Sequence, residues 1–154
     1  MAPLEVTGRL DRLRGLFAGG GDDGQDIGAL LVTTPANIRW LSGFSGSAGL
    51  LLVTGDGALL TTDGRYRTQS AEQLRGSGAH TEVTTCVGGV QAQREALVER
   101  SAGVGSLGLE ADTVTWSSQR TWAGLVSTDL VPTLGALLGF SPRLAQGKAL
   151  AEVS

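Results

Sequence analysis

Apolar residues in this chain come in short runs that glycine-rich turns keep apart. The longest fully apolar runs have four residues, as in Leu-Leu-Leu-Val over 50–53. Runs of that size suit buried strands of about 4–8 residues and fall far short of the roughly 18–20 that span a bilayer. Glycine supplies 24 of 154 residues, against a usual ~7%. It shows no collagen-like period, so the excess signals tight turns. A single domain of this length buries about 70% of its unfolded surface and needs no cross-link to fold.

The patterns alternate along the chain. Leu10, Leu13, Leu16 and Phe17 recur at helical spacing and predict a helix over 5–18, stopped by the glycines at 19–21. Residues 27–32 read as a short buried strand. Thr34-Pro35 opens a helix that Gly43 closes. Residues 50–53 and 58–62, joined by Gly55-Asp56-Gly57, predict a hairpin. Further helices are expected over 66–75, 90–100 and 115–126, and strands over 80–87, 105–110 and 129–131, the last ended by Pro132. Such alternation, with a hairpin inside it, implies a mixed α/β sheet covered on both faces.

The charge balance narrows the partners. The net charge is −3 and the pI about 5.1, which argues against nucleic acid, since phosphate binding needs a basic field. No membrane partner is expected. One cysteine, Cys86, permits neither an internal disulfide nor a thiolate cage. A reducing cytoplasm fits, and Met-Ala-Pro-Leu-Glu lacks the basic and apolar stretches of a secretory signal.

Several motifs resemble catalytic signatures and fail on context. Gly19–Gly24 and Gly103–Gly108 both match G-x-G-x-x-G. A dinucleotide loop must follow a strand and open a helix, whereas both segments follow a predicted helix and lead into a strand. Gly43-Phe44-Ser45-Gly46-Ser47 is close to a nucleophile elbow but ends in serine rather than glycine. A small hydrolase using Ser45 or Ser47 would need a histidine, and the only one, His80, falls in a predicted strand. Cys86 reads as a small core residue. Asp22, Asp23 and Asp26 lack the spacing of a calcium loop. No complete catalytic or metal site is expected in this chain.

Three segments together resemble a known family. They are residues 29–49, containing Thr34-Pro35-Ala36-Asn37-Ile38-Arg39-Trp40-Leu41-Ser42-Gly43-Phe44-Ser45-Gly46-Ser47; then Thr62-Asp63-Gly64-Arg65-Tyr66; then Leu107-Gly108-Leu109-Glu110. In order and spacing they resemble the N-terminal domain of the creatinase/prolidase/Xaa-Pro aminopeptidase family, and the Gly-Phe-Ser-Gly-Ser-Ala-Gly form is most similar to the aminopeptidase branch. The resemblance implies a three-layer α/β fold. It has a mixed six-stranded sheet with helices on both faces, related to ribonuclease H. It implies a domain over 1–133 and a junction over 134–154 leading to a catalytic domain absent from this chain.

The activity implied for such a parent is hydrolysis of the bond before proline, by a pair of Mn, Zn or Co ions held in that other domain. This chain alone is expected not to hydrolyse peptides and to carry no cofactor. Its implied role is dimer assembly and substrate gating. The expected partners are its own catalytic domain, a second subunit in a homodimer, and short Xaa-Pro peptides near the parent active site. Phe44, Ser45, Arg65 and Tyr66 are the gating or dimer-contact candidates. Phe44 could wall a pocket or fill the core. Arg65 could pair with a carboxylate through its planar fork or tie its own turn to the sheet. Trp40 reads as core. After Pro132 the sequence departs from the family, with Gly139 and Pro142 weakening any helix. The apolar residues Leu137, Leu138 and Phe140 would then seek a partner surface. The alternative is a stand-alone protein- or peptide-binding module derived from that domain.

Overall fold

The computed structural model describes residues 5–21 and 24–133. Among these residues six strands form one sheet: β1 (Ala29–Val32), β2 (Gly49–Thr54), β3 (Ala58–Thr62), β4 (Val83–Val87), β5 (Ser106–Glu110) and β6 (Asp129–Thr133). Their order across the sheet is β4-β3-β2-β1-β5-β6. β2 runs antiparallel to both β1 and β3, and every other neighbouring pair is parallel. The helices are α1 (Arg9–Arg14), α2 (Pro35–Ser42), α3 (Arg67–Ser77), α4 (Val90–Ser101) and α5 (Trp116–Leu125).

The short all-apolar strands follow from a sheet buried on both sides, where alternation with polar residues is not needed. Leu30 and Val32 of β1 face one way, with Leu51, Val53 and Leu60, and meet Leu10, Leu13, Ile38, Leu41 and Leu74 from α1, α2 and α3. Leu31 faces the other way, with Leu52, Leu59, Leu107 and Leu109, against Leu97 of α4 and Trp122 of α5. Each buried leucine contributes about 2 kcal/mol relative to exposure. The two layers of helices are therefore anchored independently on one sheet.

The predicted hairpin forms as expected, with Thr54 donating its N–H to the Gly57 carbonyl at 3.0 Å. Gly43 closes α2 in the left-handed region, φ 85°. Four expectations change. The first helix is confined to Arg9–Arg14, because Gly8 enters with φ 86° and Gly15 follows, although Phe17 still reaches the core. α3 runs through Gly76 and stops at Gly78, which takes φ 84°. His80 lies on a 3-10 turn, Ala79–Thr81, rather than in a strand, and is exposed. β6 passes through Pro132 instead of ending before it, which the ladder tolerates because β6 is an edge strand.

Trp40 is half-buried at the margin of the core, with the Arg9 guanidinium 4.5 Å from its ring centre. Cys86 packs half-buried on the α4–α5 side. No helix among the described residues is long and apolar enough to cross a membrane. The junction expected over 134–154, with Leu137, Leu138 and Phe140, lies outside the described residues.

Candidate functional site

The loop leaving α2 and the corner leaving β3 meet at the surface. Gly43 turns the chain, and Ser42 Oγ donates to the Ile38 carbonyl at 2.6 Å while accepting from the Phe44 N–H at 3.2 Å. That turn drives Phe44 inward. Its side chain is 1% exposed and belongs to the α1–α3 core. Its ring meets Tyr66 edge-to-face at 5.6 Å and 87°, an arrangement favoured by the aromatic quadrupole. Phe44 offers no open wall in this chain; it supports Tyr66 from beneath.

Ser45 and Ser47 remain exposed, and each is held by a different element. Ser45 donates its N–H to Gln73 Oε1 at 2.9 Å, and its Oγ accepts from Gln73 Nε2 at 2.8 Å and Gln69 Nε2 at 3.3 Å. Gln69 and Gln73 stand one turn apart on α3, so one helix face presents both amides. Ser47 Oγ lies 2.7 Å from the Tyr66 hydroxyl, which also accepts from the Ser47 N–H at 3.3 Å. These contacts, led by the Ser47 side chain, lower the Tyr66 pKa.

Asp63 starts the 3-10 turn Gly64–Tyr66 by accepting the Arg65 N–H at 3.0 Å. It also takes the Arg65 fork, Nε to Oδ1 at 3.0 Å and Nη2 to Oδ2 at 2.8 Å. This pairing lowers the Asp63 pKa and raises that of Arg65. Arg65 thus braces its own turn, with its guanidinium 5.2 Å from the Tyr66 ring centre. Its side chain is still 69% exposed, so the outer face of the fork stays open to solvent.

The third motif acts from below. Glu110, 1% exposed at the end of β5, accepts from the N–H groups of Thr33 and Thr34 at 2.5 and 2.9 Å and from Asn37 Nδ2 at 2.6 Å. It fixes the start of α2, and α2 in turn delivers the loop that carries Ser45 and Ser47. The three sequence segments are therefore one connected piece of structure. The structure brings the expected Phe44, Ser45, Arg65 and Tyr66 to one corner and adds Gln69 and Gln73, whose only signal in the sequence is their i,i+4 spacing on α3.

The hydrolase elements do not assemble. Ser45 and Ser47 bond to Gln69, Gln73 and Tyr66, and His80 stands on a separate turn. Gly103 and Gly105 take φ of 81° and 83° and lead into β5, as loop glycines do. Among the described residues, no three His, Cys, Asp or Glu side chains gather where a metal could be held.

Comparison with known proteins gives a consistent set of relatives. The sequence profile of the creatinase/prolidase N-terminal domain matches residues 9–138. YqhT of Bacillus subtilis (strain 168), an uncharacterized peptidase, is 35% identical over 125 residues, covering 80% of this chain and 33% of that protein. The N-terminal domain of the cytoplasmic peptidase PepQ from Mycobacterium tuberculosis H37Rv superposes with a TM-score of 0.68. It is 38% identical, covering 86% of this chain and 97% of that one. The X-prolyl aminopeptidase of Caenorhabditis elegans, a cytosolic enzyme with a di-nuclear active site, gives a TM-score of 0.65 at 27% identity. The match covers 84% of this chain and 24% of that one. The chain thus spans about a third of the YqhT length and about a quarter of the worm enzyme.

Proposed function

Since the chain belongs to the creatinase/prolidase N-terminal domain family, with residues 9–138 matched, we propose that it is the non-catalytic N-terminal part of an Xaa-Pro aminopeptidase or a closely related prolidase. In this reading residues 1–133 form the domain and 134–154 lead toward a catalytic domain. The domain contributes to dimer assembly and limits access to the active site of a neighbouring subunit. The hydrolytic metals, Mn, Zn or Co, belong to the catalytic domain. The donors described here do not fit a metal centre, and no metal-dependent step is assigned to this chain.

The observation that carries this reading is the braced corner. Asp63 and Ser47 hold Arg65 and Tyr66 in place, while the Arg65 side chain stays largely exposed on the side away from Asp63. A guanidinium positioned in this way can pair with a peptide carboxylate without reorganising its own turn. Ser45 and Ser47 supply further hydroxyls along the same edge.

Two experiments test it. An antibody raised against this chain should detect, in source cells, a species much heavier than 15.8 kDa. A native species of the chain's own mass overturns the multidomain reading in favour of a stand-alone binding module. In the longer protein, Arg65→Ala should raise KM for a short Xaa-Pro peptide several-fold and change kcat less. Unaltered kinetics in a well-folded variant would remove Arg65 from any role in access.

A further inference from the structure

On the α4–α5 face of the sheet, the face away from Phe44 and Tyr66, a cavity of about 570 Å³ opens between α4, α5 and the ends of two parallel strands. Its place follows from the topology. β1 and β5 are parallel neighbours. After β1 the chain crosses to α2, on the layer with α1 and α3, and continues to β2. After β5 it crosses to α5, on the other layer, and continues to β6. Where adjacent connections diverge to opposite faces beyond the carboxyl ends of parallel strands, an open α/β sheet leaves a crevice that ligands use.

The lining has a definite chemistry. Thr33 and Thr34 come from the β1 side, Thr113 and Thr115 from the β5 side, and Gln93 and Arg94 from α4. Thr34 Oγ1 donates to Thr113 Oγ1 at 3.1 Å, joining the two diverging loops. Leu50, Val114 and Trp122 form apolar walls. No acidic side chain is among the described residues of the lining. Arg94 is exposed and engages no carboxylate among the described residues. Glu110 lies behind Thr33 and Thr34, its charge met by their N–H groups and by Asn37.

We propose that this crevice binds a small organic monocarboxylate, with its carboxylate on Arg94 and its apolar body against Leu50, Val114 and Trp122. A single guanidinium balances one negative charge, which favours a monocarboxylate over a dianion, and its planar fork can take both carboxylate oxygens. The volume lies in the range of small-molecule sites, roughly 300–1,000 Å³, where apolar walls carry a few polar groups. The inference does not depend on the peptidase reading, since the crevice uses the α4–α5 layer and shares no lining residue with the Ser45–Ser47 and Asp63–Tyr66 corner, and the 154-residue chain itself suffices to test it.

The probe is 3-phenylpropanoate, titrated into the ¹⁵N-labelled chain, with 3-phenylpropanamide as its neutral counterpart and inorganic phosphate as the competing anion. Saturable shifts confined to the segments around Thr33, Arg94 and Thr113–Ser118 are expected. Arg94→Gln, and the neutral amide on the unaltered chain, should each weaken binding by roughly tenfold or more, as loss of a charge-assisted pair implies. Thr121→Trp, which fills the crevice while leaving Arg94 in place, should also abolish it. Arg67→Gln, at the exposed start of α3 on the other layer, should bind as the unaltered chain does. Equal binding by Arg94→Gln, shifts elsewhere, no binding at all, or tighter binding of phosphate would each overturn the proposal.

Discussion

Glu110 is a carboxylate that is 1% exposed, and its recorded partners are backbone N–H groups, an amide and a hydroxyl rather than a cation. Hydrogen bonds to a charged acceptor contribute about 1.5–3 kcal/mol each, and the donors lose that partner together if the acceptor is deleted. Glu110→Ala should therefore lower unfolding stability by about 3 kcal/mol, read as a fall in the urea midpoint at constant slope. Glu110→Gln keeps the shape but turns an N–H₂ toward other donors, so it too should destabilise, by less. A midpoint unchanged in the alanine variant would show that the contacts have no net worth. The chain has one tyrosine, so an ultraviolet titration reads Tyr66 alone. Its pKa is lowered, chiefly by the Ser47 side chain. Ionisation should begin below the ordinary tyrosine range, and Ser47→Ala should move the midpoint upward. The folded pKa lies below the unfolded one, so the associated stabilisation is present above the unfolded value and is lost as pH falls through the folded value. For Tyr66 that window is alkaline. The same sign holds for Asp63, lowered by Arg65, but its window is acidic. Both Asn37 and Glu110 were visible in the sequence as motif letters. Their bond was not, because it joins residues 73 positions apart and depends on the finished sheet.

At the level of elements, the sequence was most legible where a boundary has a stereochemical cause. Pro35 and Gly43 bracket α2 as read, since proline suits a first turn and glycine a left-handed stop. Gly76 and Gly78 compete to end α3, and only packing against α2 decides between them, in favour of Gly78. A Cβ on Gly43 would lie 2.6 Å from Cβ of Ser77, so the two helices close together at that point. Ser77 is fully engaged there, donating its Oγ to the Ser42 carbonyl at 2.7 Å. Gly43→Ala combines this clash with φ of 85°. It should cost about 1 kcal/mol for the backbone alone, with the steric conflict added. A thermal melt in the Ser77→Gly background should recover part of the loss, and no recovery would mean that the backbone strain accounts for all of it. His80 leaves the strand that its β-branched neighbours favour, because Gly78 in the left-handed region starts a 3-10 turn there.

Across the whole molecule the fold class was legible and the crevice was not. Short apolar runs, glycine turns and alternating periods specify a sheet with two helical covers. The order in which strands lie in that sheet has no local signature, and the crevice exists only because β5 sits beside β1. Burial also grades the sheet. β1 is buried along its length and lies inside the sheet, whereas β4 and β6 are edges with exposed positions. Amide hydrogen exchange should therefore be slowest in β1, β2 and β3 and fastest in β6, where Pro132 also removes a donor. Equal protection of β6 and β1 would show that the layers open as a single unit.

The place of β5 has a consequence for the order in which the molecule is made. The hairpin of β2 and β3 and its pairing with β1 need only nearby chain, and they form early in synthesis or refolding. Thr33 and Glu110 are 77 positions apart, and closing a loop of that length comes late because its entropy is lost before its contacts exist. Until then β1 presents one unpaired, apolar edge in the middle of what will become the sheet, and another nascent chain can occupy it. Glu110 arrives at the end of β5 and fastens that strand to the start of α2. The last residue of the incoming strand is thus the clasp that withdraws the open edge from competitors.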